Sequence, residues 1–196
     1  MKLARMIGLM CVTAIAVLAL AGPSSAMAET TALCSVEENP CEEGNLIKNI
    51  EYEADDIEVL TSVMNYVCDT SFSATVSKLG ESQTLGVTEM QYSSCDQGCT
   101  RTVEKLGTFT IARTEGELGE IVGNGFEVHV VCGIQINCTY AFNGLSGTIQ
   151  GPSLTGDNGH LTFNGAAFEK IKGLLCPKSA LLHALFVASE PVYLSS

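Results

Sequence analysis

The residues best able to do chemistry in this 196-residue chain are its cysteines: there are nine, against three histidines and no tryptophan. Cys11 falls in an apolar N-terminal stretch, and the other eight spread from Cys34 to Cys176. An even set of eight in an oxidising compartment predicts up to four disulfides. Spacing divides them. Cys34 and Cys41 enclose a loop containing Pro40, Cys95 and Cys99 a shorter one with Gly98, and Cys132 and Cys138 one with Gly133. Each of these pairs can meet across a tight turn, which leaves Cys68 and Cys176 to form one long tie. The C-x3-C and C-x5-C pairs lack the downstream H-x3–5-H of a zinc motif and the compartment is oxidising, so zinc thiolates are disfavoured. No C-x-x-C is present to support thiol redox chemistry.

Other chemistry is thinly represented. A serine hydrolase needs a positioned nucleophile, and neither Gly144-Leu-Ser146-Gly nor Gly151-Pro-Ser153-Leu-Thr-Gly156 forms the G-x-S-x-G elbow. His129 has the polar parity of its strand, which predicts a solvated residue. His183 lies in an apolar run, which predicts a packed one. Paired carboxylates are inevitable among 22 acids, but without tryptophan a sugar platform is poorly supported. Calcium is the most plausible ion, with Asp157 and Asn158 as weak candidate ligands in a Gly-Asp-Asn-Gly turn. The alternating oxygens of an EF-hand loop are absent. No cofactor and no catalytic set are implied.

The compartment follows from the N-terminus. Lys2 and Arg5 precede an apolar run from Ile7 to Gly22, and Ala26-Met-Ala28 supplies a small-residue cleavage site. Residues 1–28 therefore read as a signal peptide, and 29–196 as one secreted β-rich domain. The chain has a net charge of −12. Taking Lys2 and Arg5 from its 10 cations leaves eight against 22 acids, a mature balance of −14. Such a chain does not bind nucleic acid through phosphate neutralisation, and no second apolar run is long enough for a membrane-spanning helix.

The elements that must position these residues are strands. Phe126, Val128, Val130 and Cys132 alternate on one face, as do Cys138, Tyr140 and Phe142, so the two runs predict a hairpin. Further strands are expected at Ile47–Tyr52, Ile57–Thr61, Phe72–Ser77, Leu85–Tyr92, Gly107–Arg113, Gly144–Ile149, Leu161–Asn164 and around Tyr193. Turn signals stand at Asp55-Asp56, Gly80, Gly123-Asn-Gly125, Asn143-Gly144 and 156–159. Ala166–Lys172 allows a short helix, and 180–189 fits helix or strand. The fold class is all-β, mainly antiparallel, a disulfide-stapled sandwich or barrel.

Several motifs carry a resemblance. The opening Cys34-x3-Glu38-x-Pro40-Cys41, the Cys95-x2-Gly98-Cys99 element and Gly123-Asn-Gly125 leading to Cys132 are three of them. Cys138-Thr139-Tyr140, Leu175-Cys176-Pro177 and the closing Pro191-x-Tyr193-x-Ser195 complete the set. Together they resemble a family of small secreted disulfide-rich β-proteins common in actinobacteria. The family usually has an aromatic soon after Leu-Cys-Pro, where this chain has Leu181-Leu182-His183. The resemblance implies export, fold and staples, and it is silent on mechanism. The expected function is an exported, non-enzymatic β-domain that binds a surface or envelope component, a protein or a small apolar ligand. The alternative is a secreted hydrolase whose residues converge only in three dimensions.

Overall fold

The structure is a computed structural model and describes residues 30–63, 65–77, 80–115, 118–134, 136–152 and 158–195. The leader, Cys11 and Asp157 lie outside them. Eleven strands follow one another: β1 (Ala32–Cys34), β2 (Asn49–Thr61), β3 (Asn65–Ser77), β4 (Gln83–Ser93), β5 (Cys99–Lys105) and β6 (Thr108–Glu115). The series continues with β7 (Leu118–Cys132), β8 (Ile136–Gln150), β9 (His160–Lys172), β10 (Ser179–Ala188) and β11 (Tyr193–Ser195). Two 3₁₀ turns, Glu43–Asn45 and Asp96–Gly98, are the helical elements among the described residues.

The strands form an antiparallel up-and-down meander, β2-β3-β4-β6-β7-β8-β9-β10, and β10 pairs back onto β2. The all-β expectation therefore holds, and the closed ring selects the barrel over the sandwich. β5 continues the line of β6 along the second half of β7, so β5 and β6 act as one long interrupted stave. Alternation decides what faces inward. In β2, Ile50, Tyr52 and Ala54 are buried while Glu51 and Glu53 are exposed. All seven phenylalanines, Phe72, Phe109, Phe126, Phe142, Phe163, Phe168 and Phe186, are buried. They form a connected ring-contact chain across the interior.

Some expected turns are bulges. Asp55-Asp56 does not separate two strands: Asp56 takes a left-handed backbone, its N–H donates to Asp69 Oδ1 at 3.2 Å, and Ile57 returns to the interior. Asn124-Gly125 and Asn143-Gly144 likewise bend β7 and β8 without ending them. The Gly125 N–H donates to Asn143 Oδ1 (3.1 Å) and the Gly144 N–H to Asn124 Oδ1 (2.8 Å). Both glycines have positive φ, the conformation such a bulge requires. Ala166–Lys172 is strand, not helix: pairing with β8 and β10 imposes a period of two and turns Ala166 and Phe168 inward. Residues 180–188 are also strand, with Leu182, Ala184 and Phe186 inside.

The two ends of the barrel differ. At one end the β1–β11 pair lies as a plug, with Leu33, Val192 and Leu194 almost fully buried. The plug is tied to the staves through Thr31, whose N–H donates to Gly80 O and whose Oγ1 accepts from the Arg113 N–H. The other end carries the β2–β3, β4–β5, β7–β8 and β9–β10 connections, and three disulfides stand there.

Those disulfides correct the pairing expected from spacing. Cys34–Cys41 is as expected. The others are Cys68–Cys95, Cys99–Cys132 and Cys138–Cys176, not Cys95–Cys99, Cys132–Cys138 and Cys68–Cys176. Sheet register is the cause. Cys132 faces Ile136 and Cys138 faces Val130, so the two thiols sit diagonally across their hairpin. Cys99, by contrast, lies directly opposite Cys132 on β5, with the Cα atoms 4.2 Å apart.

Candidate functional site

A cavity occupies the disulfide-ringed half of the barrel. Its volume, as space open to the centre of a water-sized sphere, is about 60 Å³. At ~10–15 Å³ per water this is room for roughly four to six waters, or for a slim apolar chain or small ring. The walls are overwhelmingly apolar, with Val128 and Val130 from β7, Phe142 from β8 and Leu182 from β10 among them. Lining residues deep in the barrel are buried, whereas Val59, Met90, Tyr92 and Arg101 toward the rim are half-buried, so the cavity opens at that end.

Arg101 is the exception in this wall. It shares the inward parity of Cys99 on β5, so the strand that presents a buried cysteine also turns a guanidinium toward the cavity. Its guanidinium carbon lies 5.3 Å from the centre of the Tyr66 ring and 5.6 Å from that of Tyr92. Both Nη1 and Nη2 are buried without a hydrogen-bond partner. Burial pulls the Arg101 pKa below its ordinary value, with Tyr92, Tyr66 and Asp96 opposing that shift. A desolvated cation costs several kcal/mol in the absence of a partner, and stacking on two aromatic faces returns only part, ~0.5–2 kcal/mol each.

Three tyrosines line the same cavity. Burial raises the pKa of Tyr66 and pushes Tyr92 and Tyr140 up to about 12, so all three hydroxyls are neutral near pH 7. Tyr140 OH donates to Pro177 O at 3.4 Å and Tyr92 OH to Met90 Sδ at 3.6 Å. Thr70 Oγ1 is buried in the same wall without a partner. The polar inventory of the lining is thus one cation and several neutral hydroxyls, with no histidine or carboxylate among the described lining residues.

The residues singled out from sequence lie elsewhere. His129 is on the outer face of β7, as its parity predicts, half-solvated and 2.8 Å from Asn137 Oδ1 and 3.7 Å from Glu104. His183 is not packed: it is half-exposed on the outer face of β10, paired in register with Glu58 and Asn164. Neither histidine reaches the cavity. Asp157 is outside the described residues. Asn158 belongs to the plugged end, where its carbonyl accepts from the Val192 N–H at 3.1 Å. The Glu38 carboxylate accepts from the Glu42 N–H and from Asn45 Nδ2, holding the Cys34–Cys41 loop. Glu38 lies close to both sulfurs, but these are bonded to each other and offer no thiolate to a metal.

Sequence reasoning missed Arg101 because it searched for nucleophiles and bases. The available signal was parity with Cys99 in a strand whose other face is polar. Compared with protein-family models, curated proteins and solved structures, the chain matches none of them.

Proposed function

We propose that this protein is an exported binding protein that holds a small apolar ligand carrying an anionic group, of which a carboxylate is the simplest. The observation that carries this reading is the buried, unpartnered Arg101 fork facing an apolar cavity. A planar guanidinium binds a carboxylate in two parallel hydrogen bonds. The ligand's apolar part would lie against Val128, Val130 and Leu182, where hydrophobic burial supplies affinity. Export is supported by the signal-like leader and by four disulfides, which are consistent with an extracellular protein. The resemblance to secreted actinobacterial β-proteins points the same way. A hydrolase would need a base beside a nucleophile, and the lining offers neither histidine nor carboxylate among the described residues.

The test is calorimetric titration of the mature, oxidised protein with short straight-chain carboxylates and with their methyl esters. Acids should bind at least ~10-fold more tightly than esters, since charge-assisted pairs at a desolvated site are worth ~1.5–3 kcal/mol. Arg101→Met should abolish that preference while leaving thermal stability unchanged or higher, because it removes an unpaired buried cation. Equal affinity for acid and ester, or an Arg101→Met variant that still prefers the acid, overturns the reading.

A further inference from the structure

The connections around the open end carry aliphatic side chains that have nothing to pack against. Ile134, in the β7–β8 turn, is fully exposed, as is Leu174 in the β9–β10 loop. Leu175 beside it is 74% exposed, and Val63 in the β2–β3 turn is 65% exposed. These three connections follow one another around the rim, because β8 neighbours β9 and β10 neighbours β2. The β9–β10 connection is also held in place. Cys138–Cys176 bonds the start of β8 to the β9–β10 loop, and Lys170 Nζ donates to Cys176 O. Solvated aliphatic tips on adjacent loops form a patch of the kind that marks a docking surface.

Charge identifies the occupant. The sequence at 61–65, 133–137 and 170–179 contains no acid, although the chain carries 22. It contains three of the 10 cations: Lys170, Lys172 and Lys178, the last two exposed on either side of Leu174-Leu175. The rest of the barrel wall presents Glu51, Glu53, Glu89, Glu120 and Glu169 to solvent. Of the acidic surface, these three connections therefore repel an anionic partner least, while Asp96 stands in the fourth connection of the same rim. Lysines flanking aliphatic tips can place their ammonium groups among headgroups while the tips enter the acyl boundary.

We infer that the open rim docks on an anionic lipid surface through Val63, Ile134, Leu174 and Leu175, with Lys172 and Lys178 at the headgroups. Docking turns the cavity mouth toward the lipid. This goes beyond the ligand reading and stands without it.

The experiment is flotation of the mature, oxidised protein with two kinds of vesicle, one of pure phosphatidylcholine and one of equal parts phosphatidylcholine and phosphatidylglycerol. Binding should favour the anionic vesicles by about 10-fold or more and weaken with salt. Ile134→Asp with Leu174→Asp should lower it by about 10-fold, and Lys172→Gln with Lys178→Gln should remove most of the salt dependence. All these positions are exposed, so melting temperature and carboxylate binding should be unchanged. Arg101→Met should float like the native protein, which separates failure of the ligand reading from failure of this one. No flotation of the native protein, or a double-aspartate variant that floats equally well, overturns the inference. So does a native dimer that the double-aspartate change makes monomeric without vesicle binding, since the rim would then be covered by a second copy.

Discussion

At the scale of single residues the molecule is governed by what burial does to a few polar groups. Tyr52, Tyr66, Tyr92 and Tyr140 all have pKa values raised by desolvation. Above pH ~10 the unfolded chain loses phenolic protons that the folded chain retains, so stability is full below that pH and falls as pH rises toward 12. Titration followed by phenolate absorbance should therefore show ionisation delayed past pH ~10 and coincident with loss of the folded state. Phenolate formation in four tyrosines at pH ~10 with the fold intact would contradict the burial argument. Little of this layer was legible beforehand. The sequence identified His129 as a solvated strand residue, but its one signal separating Arg101 from other cations was parity with Cys99. Parity with Cys99 became informative only once Cys99 was known to face inward. Glu38 lies among Glu37, Glu42 and Glu43 in sequence, and only the fold, through Asn45 and the Glu42 N–H, distinguishes it.

Among the elements, alternation was the dependable signal. It placed Phe126, Val128, Val130 and Cys132 on one face and paired them with the face of Cys138, Tyr140 and Phe142, as observed. Punctuation was less dependable. Asp55-Asp56, Gly123-Asn-Gly125 and Asn143-Gly144 have the chemistry of turns, but in a curved barrel the same residues absorb a bulge inside strands of 13 and 15 residues. Cysteine pairing failed for a related reason: adjacency in sequence is not adjacency in register, and a two-residue offset separates thiols in one hairpin. Loop length then ranks the staples. Cys99–Cys132 closes a separation of 33 residues and Cys34–Cys41 one of seven. Chain-entropy arguments give roughly 3.7 and 2.4 kcal/mol respectively. Replacing Cys99 and Cys132 together by serine should thus lower denaturant stability more than the same change at Cys34 and Cys41. The reverse order would show that the short loop organises more of the fold than its length implies.

For the whole molecule, ring closure makes one end a floor and the other a mouth. Whether the last stave meets the first depends on contacts between β2 and β10, more than a hundred residues apart, and no local pattern encodes it. Composition and alternation therefore reached the all-β class and stopped at the choice between sandwich and barrel. The floor should be costly to damage. Leu33 and Leu194 are buried where β1 and β11 plug the barrel, so Leu33→Ala should cost about 2–5 kcal/mol in denaturant stability. That loss should leave the vesicle preference of the opposite rim unchanged in protein that remains folded. A change there smaller than about 1 kcal/mol would mean that the plug is detachable.

The disulfides have one more property: along the chain each cysteine from Cys34 onward is bonded to its immediate neighbour in the series, first with second, third with fourth, and so on to Cys176. For a polypeptide threaded N-terminus first through a pore, each thiol still unpaired from Cys34 onward meets its native partner in the next thiol to emerge. An oxidant that joins sulfurs from Cys34 onward in order of arrival makes this set with no reshuffling step.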